Sequence, residues 1–180
     1  MNPADWVRHL VHAAGAPAVL DTPPPVGALG SSGRGASDRD REAWRRADSA
    51  GPWRDLVEPG SGPLKAWTAD ATVEVWTEEE LASLHGLWRL ARRARDAGLR
   101  LRLLEAARWH MEHTQPDNAT NRPWALHLFV LEGSADGGLY AQTLLHNAAA
   151  LRASVEPVSA WILRDAAAEL QASLRDGGDR

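Results

Sequence analysis

A chain of 180 residues is long enough for one ordinary domain, or for one domain plus a tail. Cysteine is absent, which excludes disulfides, thiolate metal sites and thiol nucleophiles and fits a reducing compartment. Lys and Arg total 20 against 24 Asp and Glu, and the net charge of -4 argues against general binding to nucleic acid or to an anionic membrane.

No apolar run approaches the roughly 20 residues that span a bilayer. At the N-terminus, Asp5, Arg8, His9 and His12 interrupt any signal-peptide core, and no basic segment precedes it. A cytoplasmic chain without a membrane partner is expected. Residues 4–14 suit a short amphipathic helix with Trp6, Leu10 and Val11 or Ala13 on one side. Alone it is shorter than the ~12–15 residues an isolated helix needs, so it is expected to dock on the rest of the chain or on a partner.

Residues 21–76 read as a Pro/Gly-rich linker. Pro23, Pro24 and Pro25 favour an extended chain, and the Gly/Ser run after them buries too little to order itself. Within it, residues 38–48 form a charged helix capped by Ser37 or Asp38, and residues 49–66 return to loop. Trp44, Trp53, Trp67 and Trp76 are too many large aromatics to leave in water, so the segment is expected to lie along the helical domain. Thr72 to Trp76 alternates weakly, as in a short extended piece.

From residue 77 the helical signals are strong. Thr77-Glu78-Glu79-Glu80 has the form of a capping box opening a helix to about Ala97, with Gly98 just past its end. Leu81, Leu84, Leu87, Trp88, Ala91 and Ala94 are its stripe. Leu99 to Thr114 is the next helix, with Leu99, Leu103, Ala106, Ala107 and His110 on one face, and Pro116 ends it. The third, capped by Asn121 with Pro123 in its first turn, carries Trp124-Ala125-Leu126-His127-Leu128-Phe129-Val130-Leu131 and ends near Gly133. With no polar face it belongs in the middle of a bundle.

Gly137-Gly138 reads as the next connection, before a fourth helix from Leu139 to about Ala153 with Tyr140, Leu144, Ala148 and Leu151 inward. A fifth, Pro157 to Leu174, has polar members Asp165 and Glu169 in its stripe, which suggests that it covers the bundle from outside. The tail 175–180 is expected to be disordered. The fold class is therefore all-α. It is an antiparallel helical bundle or a short helical-hairpin array over residues 77–174, preceded by an amphipathic segment (1–20) and an irregular Pro/Gly-rich stretch.

Three groups of residues carry possible chemistry. His85, His110, His113, His127 and His146 fall on helices, and a bundle interior with several imidazoles is a usual place for zinc or another divalent transition metal. His110 and His113, with His127 or His146, are the candidate ligands of a metal-dependent hydrolase, and Glu112 or Asp117 is a candidate carboxylate. His-x-x-His alone is a weak signal, since neutral imidazoles are commonly buried with both nitrogens satisfied. The second group is the polar loop 115–123 with Gln115, Asp117, Asn118, Thr120, Asn121, Arg122 and the adjoining Trp124 as candidates for a small ligand. The same residues favour Asx-turns and helix caps, and Arg122 has Asp117 or Glu112 as possible ion-pair partners. If a site exists, it lies where this loop meets His110 and His113.

The third group is an arginine run over 89–108, more often the solvated face of a helix pair than a phosphate site. Phosphate-loop, dinucleotide and serine-elbow motifs are absent. With no strong catalytic constellation, the leading expectation is a protein-interaction or scaffold module. The amphipathic N-terminal helix and the tryptophans would dock against helices of the chain itself or of a partner.

Overall fold

The computed structural model describes residues 1–15, 38–114, 122–150 and 156–178. The structure is all-α, with seven α-helices and no strand among the described residues. They are α1 (Pro3–Ala13), α2 (Asp38–Ser49), α3 (Val73–Arg93), α4 (Ala97–His113), α5 (Leu126–Glu132), α6 (Ala135–Ala150) and α7 (Pro157–Gly178), with one 3-10 turn at Arg54–Leu56. No helix among the described residues is long and apolar enough to cross a membrane.

Helix α1 is capped by the Asn2 side chain, which accepts the Asp5 N–H at 2.9 Å. It lies along α7 and buries Trp6, Leu10 and Ala14, while Val11 stays exposed. Arg164 of α7 donates to the Ala14 and Gly15 carbonyls at its C-terminus, 3.3 and 3.4 Å away. The amphipathic segment therefore docks on its own chain.

Helix α2 packs along α3. Trp44 is the wedge: its indole N–H donates to the Ala82 carbonyl at 3.1 Å, and its ring lies against Gly86, where an added Cβ would stand 3.3 Å from three ring atoms. The irregular stretch that follows is tied down by hydrogen bonds. Arg102 of α4 donates to the carbonyls of Glu58, Gly62 and Pro63, and Glu80 of α3 accepts the N–H groups of Leu64 and Lys65. Trp53 is half-buried, but Trp67 is exposed, so not every tryptophan of this segment is used in docking.

Several boundaries differ from the sequence reading. Thr72 to Trp76 is helical: the Thr72 hydroxyl caps α3 by accepting the Val75 N–H, and Thr77 instead donates to the Val73 carbonyl at 2.7 Å. The turn after α3 is made by Arg95, which takes the left-handed conformation (φ 53°). Gly98 is inside α4, whose cap is Asp96, accepting the Leu99 N–H at 2.9 Å. Gly137 and Gly138 are inside α6, with the Ser134 hydroxyl accepting the Gly137 N–H at 3.0 Å. Arg175 to Gly178 of the expected tail continue α7.

Helix α5 is the centre, as its apolar sequence implies. Leu126 to Val130 are buried, and the helix touches α4, α6, α7 and α1. It starts from Ala125 in a left-handed conformation (φ 54°) with no side-chain cap and ends at Gly133 (φ 85°). The proposed cap Asn121 lies outside the described residues. The largest departure is α7. It is a core element: Ile162, Leu163, Ala166 and Leu170 are fully buried, and Asp165 and Glu169 face α3 rather than solvent. Asp165 meets His85 and Arg89, and Glu169 takes a two-pronged pair from Arg92 at 2.6 and 3.0 Å.

Candidate functional site

Two polar systems run through this interior. The first is centred on His85, which is fully buried. Its Nε2 lies 2.9 Å from Asp165 Oδ2, and its Nδ1 accepts the Ala125 N–H at 3.2 Å. Nδ1 must therefore offer a lone pair and Nε2–H must donate, which fixes a neutral imidazole in one tautomer. The other Asp165 oxygen pairs with Arg89, whose guanidinium stands 5.6 Å above the Trp44 ring. Burial alone would raise the Asp165 carboxyl, but the hydrogen bonds from His85 and Arg89 and the charge of Arg89 outweigh it and hold the group below its usual range. His127 lies edge-on to His85 with ring centres 4.5 Å apart, fully buried, and neither of its nitrogens has a hydrogen-bond partner. Burial first, then the charges of Arg89 and Arg92, push it well below the ordinary histidine range.

The second system starts at Glu80, also fully buried, and leads outward. Its Oε2 is 3.6 Å from His110 Nε2, beyond hydrogen-bonding distance but within ion-pair reach. His110 Nδ1 lies 3.3 Å from Thr114 Oγ1, and that oxygen lies 2.9 Å from Tyr140 Oη. Burial, partly offset by the Thr114 hydrogen bond, pushes the Tyr140 phenol up to about 12, so it stays a donor at neutral pH.

Thr114 and Tyr140 open onto a cleft of about 330 Å³ between the end of α4 and the start of α6. Its other lining residues are Met111, Glu112, His113, Asp136, Leu139 and Thr143. The size falls at the small end of ligand pockets, roughly 300–1,000 Å³. His113 is held flat on Trp109, ring centres 4.5 Å apart and planes 5° apart, with Nδ1 2.9 Å from the Trp109 carbonyl. That carbonyl can only accept, so Nδ1 carries hydrogen and Nε2 is left for another partner. The charged side chains in the lining are Glu112 and Asp136, and no Lys or Arg is among the lining residues.

The predicted residues are scattered relative to this arrangement. His110 and His127 are buried, whereas His113 and His146 are exposed, so the i,i+3 pair His110/His113 does not share an inward face. Among the described residues no group of three or more His, Asp or Glu side chains is arranged to hold a metal ion. Gln115, Asp117, Asn118, Thr120 and Asn121 lie outside the described residues. Arg122 pairs with Glu156 at 2.8 Å. Trp124 is a core residue, packed on Trp44 and His85.

Glu112 and the His110–His113 turn are where the sequence placed a site. Thr114, Asp136 and Tyr140 were not singled out for chemistry. Tyr140 carries a signal in hindsight, as the only tyrosine and a polar ring on an apolar stripe. No protein-family model matches the chain, and comparison with curated proteins and with solved structures finds no similar one.

Proposed function

We propose that the chain binds a small amine-bearing molecule in the cleft between α4 and α6. The observation that carries this reading is the lining itself. A cleft of about 330 Å³ has hydroxyls at Thr114, Thr143 and Tyr140, an imidazole at His113, and two carboxylates with no Lys or Arg among the lining residues. Such a lining favours a cation with hydrogen-bonding groups over an anion. The expectation of an interaction or scaffold module rests on the lack of a strong catalytic constellation, the amphipathic N-terminal helix, the long linker and the tryptophans. Helix α1 lies on α7, and six of the nine tryptophans (Trp6, Trp44, Trp76, Trp88, Trp124 and Trp161) are buried. Helix α1 and those six tryptophans are therefore occupied within the chain, while Trp67 stays exposed.

The test uses two probes of equal length and opposite charge, putrescine and succinate, in thermal unfolding and titration calorimetry. Putrescine at about 100 times its Kd stabilises by about 2.7 kcal/mol, a rise of about 5–10 °C for a chain of this size. Succinate gives no shift, and Glu112→Gln with Asp136→Asn removes the response to putrescine. Equal responses to both probes, or a putrescine response that survives the double substitution, would overturn the reading.

A further inference from the structure

From the interior to the cleft, the second polar system presents a carboxylate, an imidazole and a hydroxyl in succession. Glu80 is held by the Leu64 and Lys65 N–H groups at 2.8 and 2.9 Å and stands 3.6 Å from His110 Nε2, within ion-pair reach but not hydrogen-bonded to it. His110 Nδ1 faces Thr114 Oγ1, which lines the cleft. Acyl-transfer enzymes need this order: a nucleophile within reach of a base, and a third group that orients the base. Thr114 also caps α4, its hydroxyl donating to the His110 carbonyl at 2.9 Å. Only the hydroxyl hydrogen has to rotate from that carbonyl towards Nδ1 to turn the cap into a base-paired nucleophile, because the heavy atoms are already placed.

We propose that Thr114 is a nucleophilic hydroxyl, with His110 as its general base and Glu80 as the residue positioning that base, acting on the ester carbonyl of a small amine-bearing substrate. The substrate class rests on the cleft reading above, but the reactivity of Thr114 does not. Thr114 Oγ1 attacks the carbonyl carbon while its proton passes to His110 Nδ1. The bond to the alcohol oxygen breaks, that oxygen takes the proton from His110, and an acyl-Thr114 remains. Water then attacks the acyl carbon, giving one proton to His110. The bond to Oγ1 breaks, the proton returns to Thr114, and the acid leaves. Tyr140 O–H lies 2.9 Å from Oγ1, and in this proposal it turns to donate to the oxyanion that forms beside that oxygen.

The experiment is labelling of the full chain with diisopropyl fluorophosphate, followed by intact mass and peptide mapping. Attack of Oγ1 on phosphorus releases fluoride and leaves a diisopropylphosphoryl group. One adduct per chain on Thr114 is expected. Thr114→Ser keeps it, the isosteric Thr114→Val loses it, and Tyr140→Phe slows it on the order of 100-fold. Glu80→Gln moves the pH profile of the labelling rate, whereas a purely structural loss would lower the rate without moving the profile. Peptide mapping of the wild type and Thr114→Ser locates the adduct even where another variant fails to fold. No adduct at residue 114 in either protein, or full labelling of Thr114→Val, overturns the proposal. Labelling that excess putrescine does not slow removes the amine-binding reading and leaves the nucleophile standing.

Discussion

His85 Nε2 and Asp165 Oδ2 meet at 2.9 Å across the α3–α7 interface, and the other nitrogen of the same ring, Nδ1, accepts the N–H of Ala125 at 3.2 Å. One imidazole thus connects three helices. A left-handed alanine costs roughly 1–2 kcal/mol relative to the right-handed form, and Ala125 is kept there by a chain turn whose N–H has a buried acceptor. The register of α5 against α3 and α7 is set by this hydrogen-bonded line as well as by apolar shape.

Removing the carboxylate should therefore be costly. Asp165→Ala leaves the His85 N–H without an acceptor in the core and Arg89 without its partner carboxylate. Loss of one member of a buried pair costs about 3–5 kcal/mol. Asp165→Asn costs less, because its amide oxygen can still accept from Nε2. Urea unfolding measures both. A loss under about 0.5 kcal/mol for Asp165→Ala, the usual scale for surface substitutions, would show that the line is not structural.

Acid should destabilise the fold from near neutrality. The folded chain holds His127 well below its unfolded value of 6.5, with burial as the main cause. Below pH 6.5 the unfolded chain therefore binds a proton that the folded chain does not, and stability falls as pH falls, by up to about 1.4 kcal/mol per pH unit. Asp165, also depressed, adds a loss of the same sign as pH falls below 3.8. Urea midpoints between pH 8 and 5 test the first part. In His127→Leu the slope should flatten, and an unchanged slope would assign the effect elsewhere.

How far the sequence could lead is clearest at the helix ends. Thr72 and Thr77 both suit an N-cap, and local pattern chooses the one followed by Glu at the third position. The chain uses Thr72, because the added turn brings Trp76 inward, where its indole donates to the Lys65 carbonyl at 3.1 Å. Asp165 and Glu169 look solvent-facing until their partners on α3 are known, and those partners are 76–80 residues away in the chain. The apolar run of α5 needs no such information and was legible. The cleft was half legible: the turn at His110–His113 was visible, but Asp136 and Tyr140 reach it only through the packing of α6.

Gly137 is the residue that makes this packing possible, and it was read as a loop glycine. A Cβ there would stand 2.4 Å from the Phe129 carbonyl oxygen and 3.3 Å from Met111 Sδ. A backbone carbonyl cannot step aside as a flexible side chain can, so Gly137→Ala should push α6 outward and cost about 1–3 kcal/mol. Because α6 carries Asp136, Leu139, Tyr140 and Thr143, the same substitution should weaken putrescine binding. Gly138→Ala, with open space around its Cβ, is the matched control and should be neutral or slightly stabilising. Equal stability of the two variants would refute the close-approach argument.

Glu80 has a structural task separate from its proposed chemistry, and the two can be measured apart. Its oxygens accept the N–H groups of Leu64 and Lys65, and with the Arg102 bonds to Glu58, Gly62 and Pro63 they fasten the irregular segment to α3 and α4. A glutamine has one acceptor oxygen where glutamate has two. Hydrogen bonds to charged groups contribute about 1.5–3 kcal/mol each, so Glu80→Gln should cost about 2 kcal/mol. The loss should appear as faster hydrogen exchange at Leu64 and Lys65 before any change in α5 or α7. Arg102→Ala loosens the same segment from the other side without touching His110. Arg102→Ala should lower the rate of Thr114 labelling without moving its pH profile, and a moved profile in that variant would assign the effect of Glu80→Gln to loosening of the segment. A shift unique to Glu80→Gln would place it on the His110 ring.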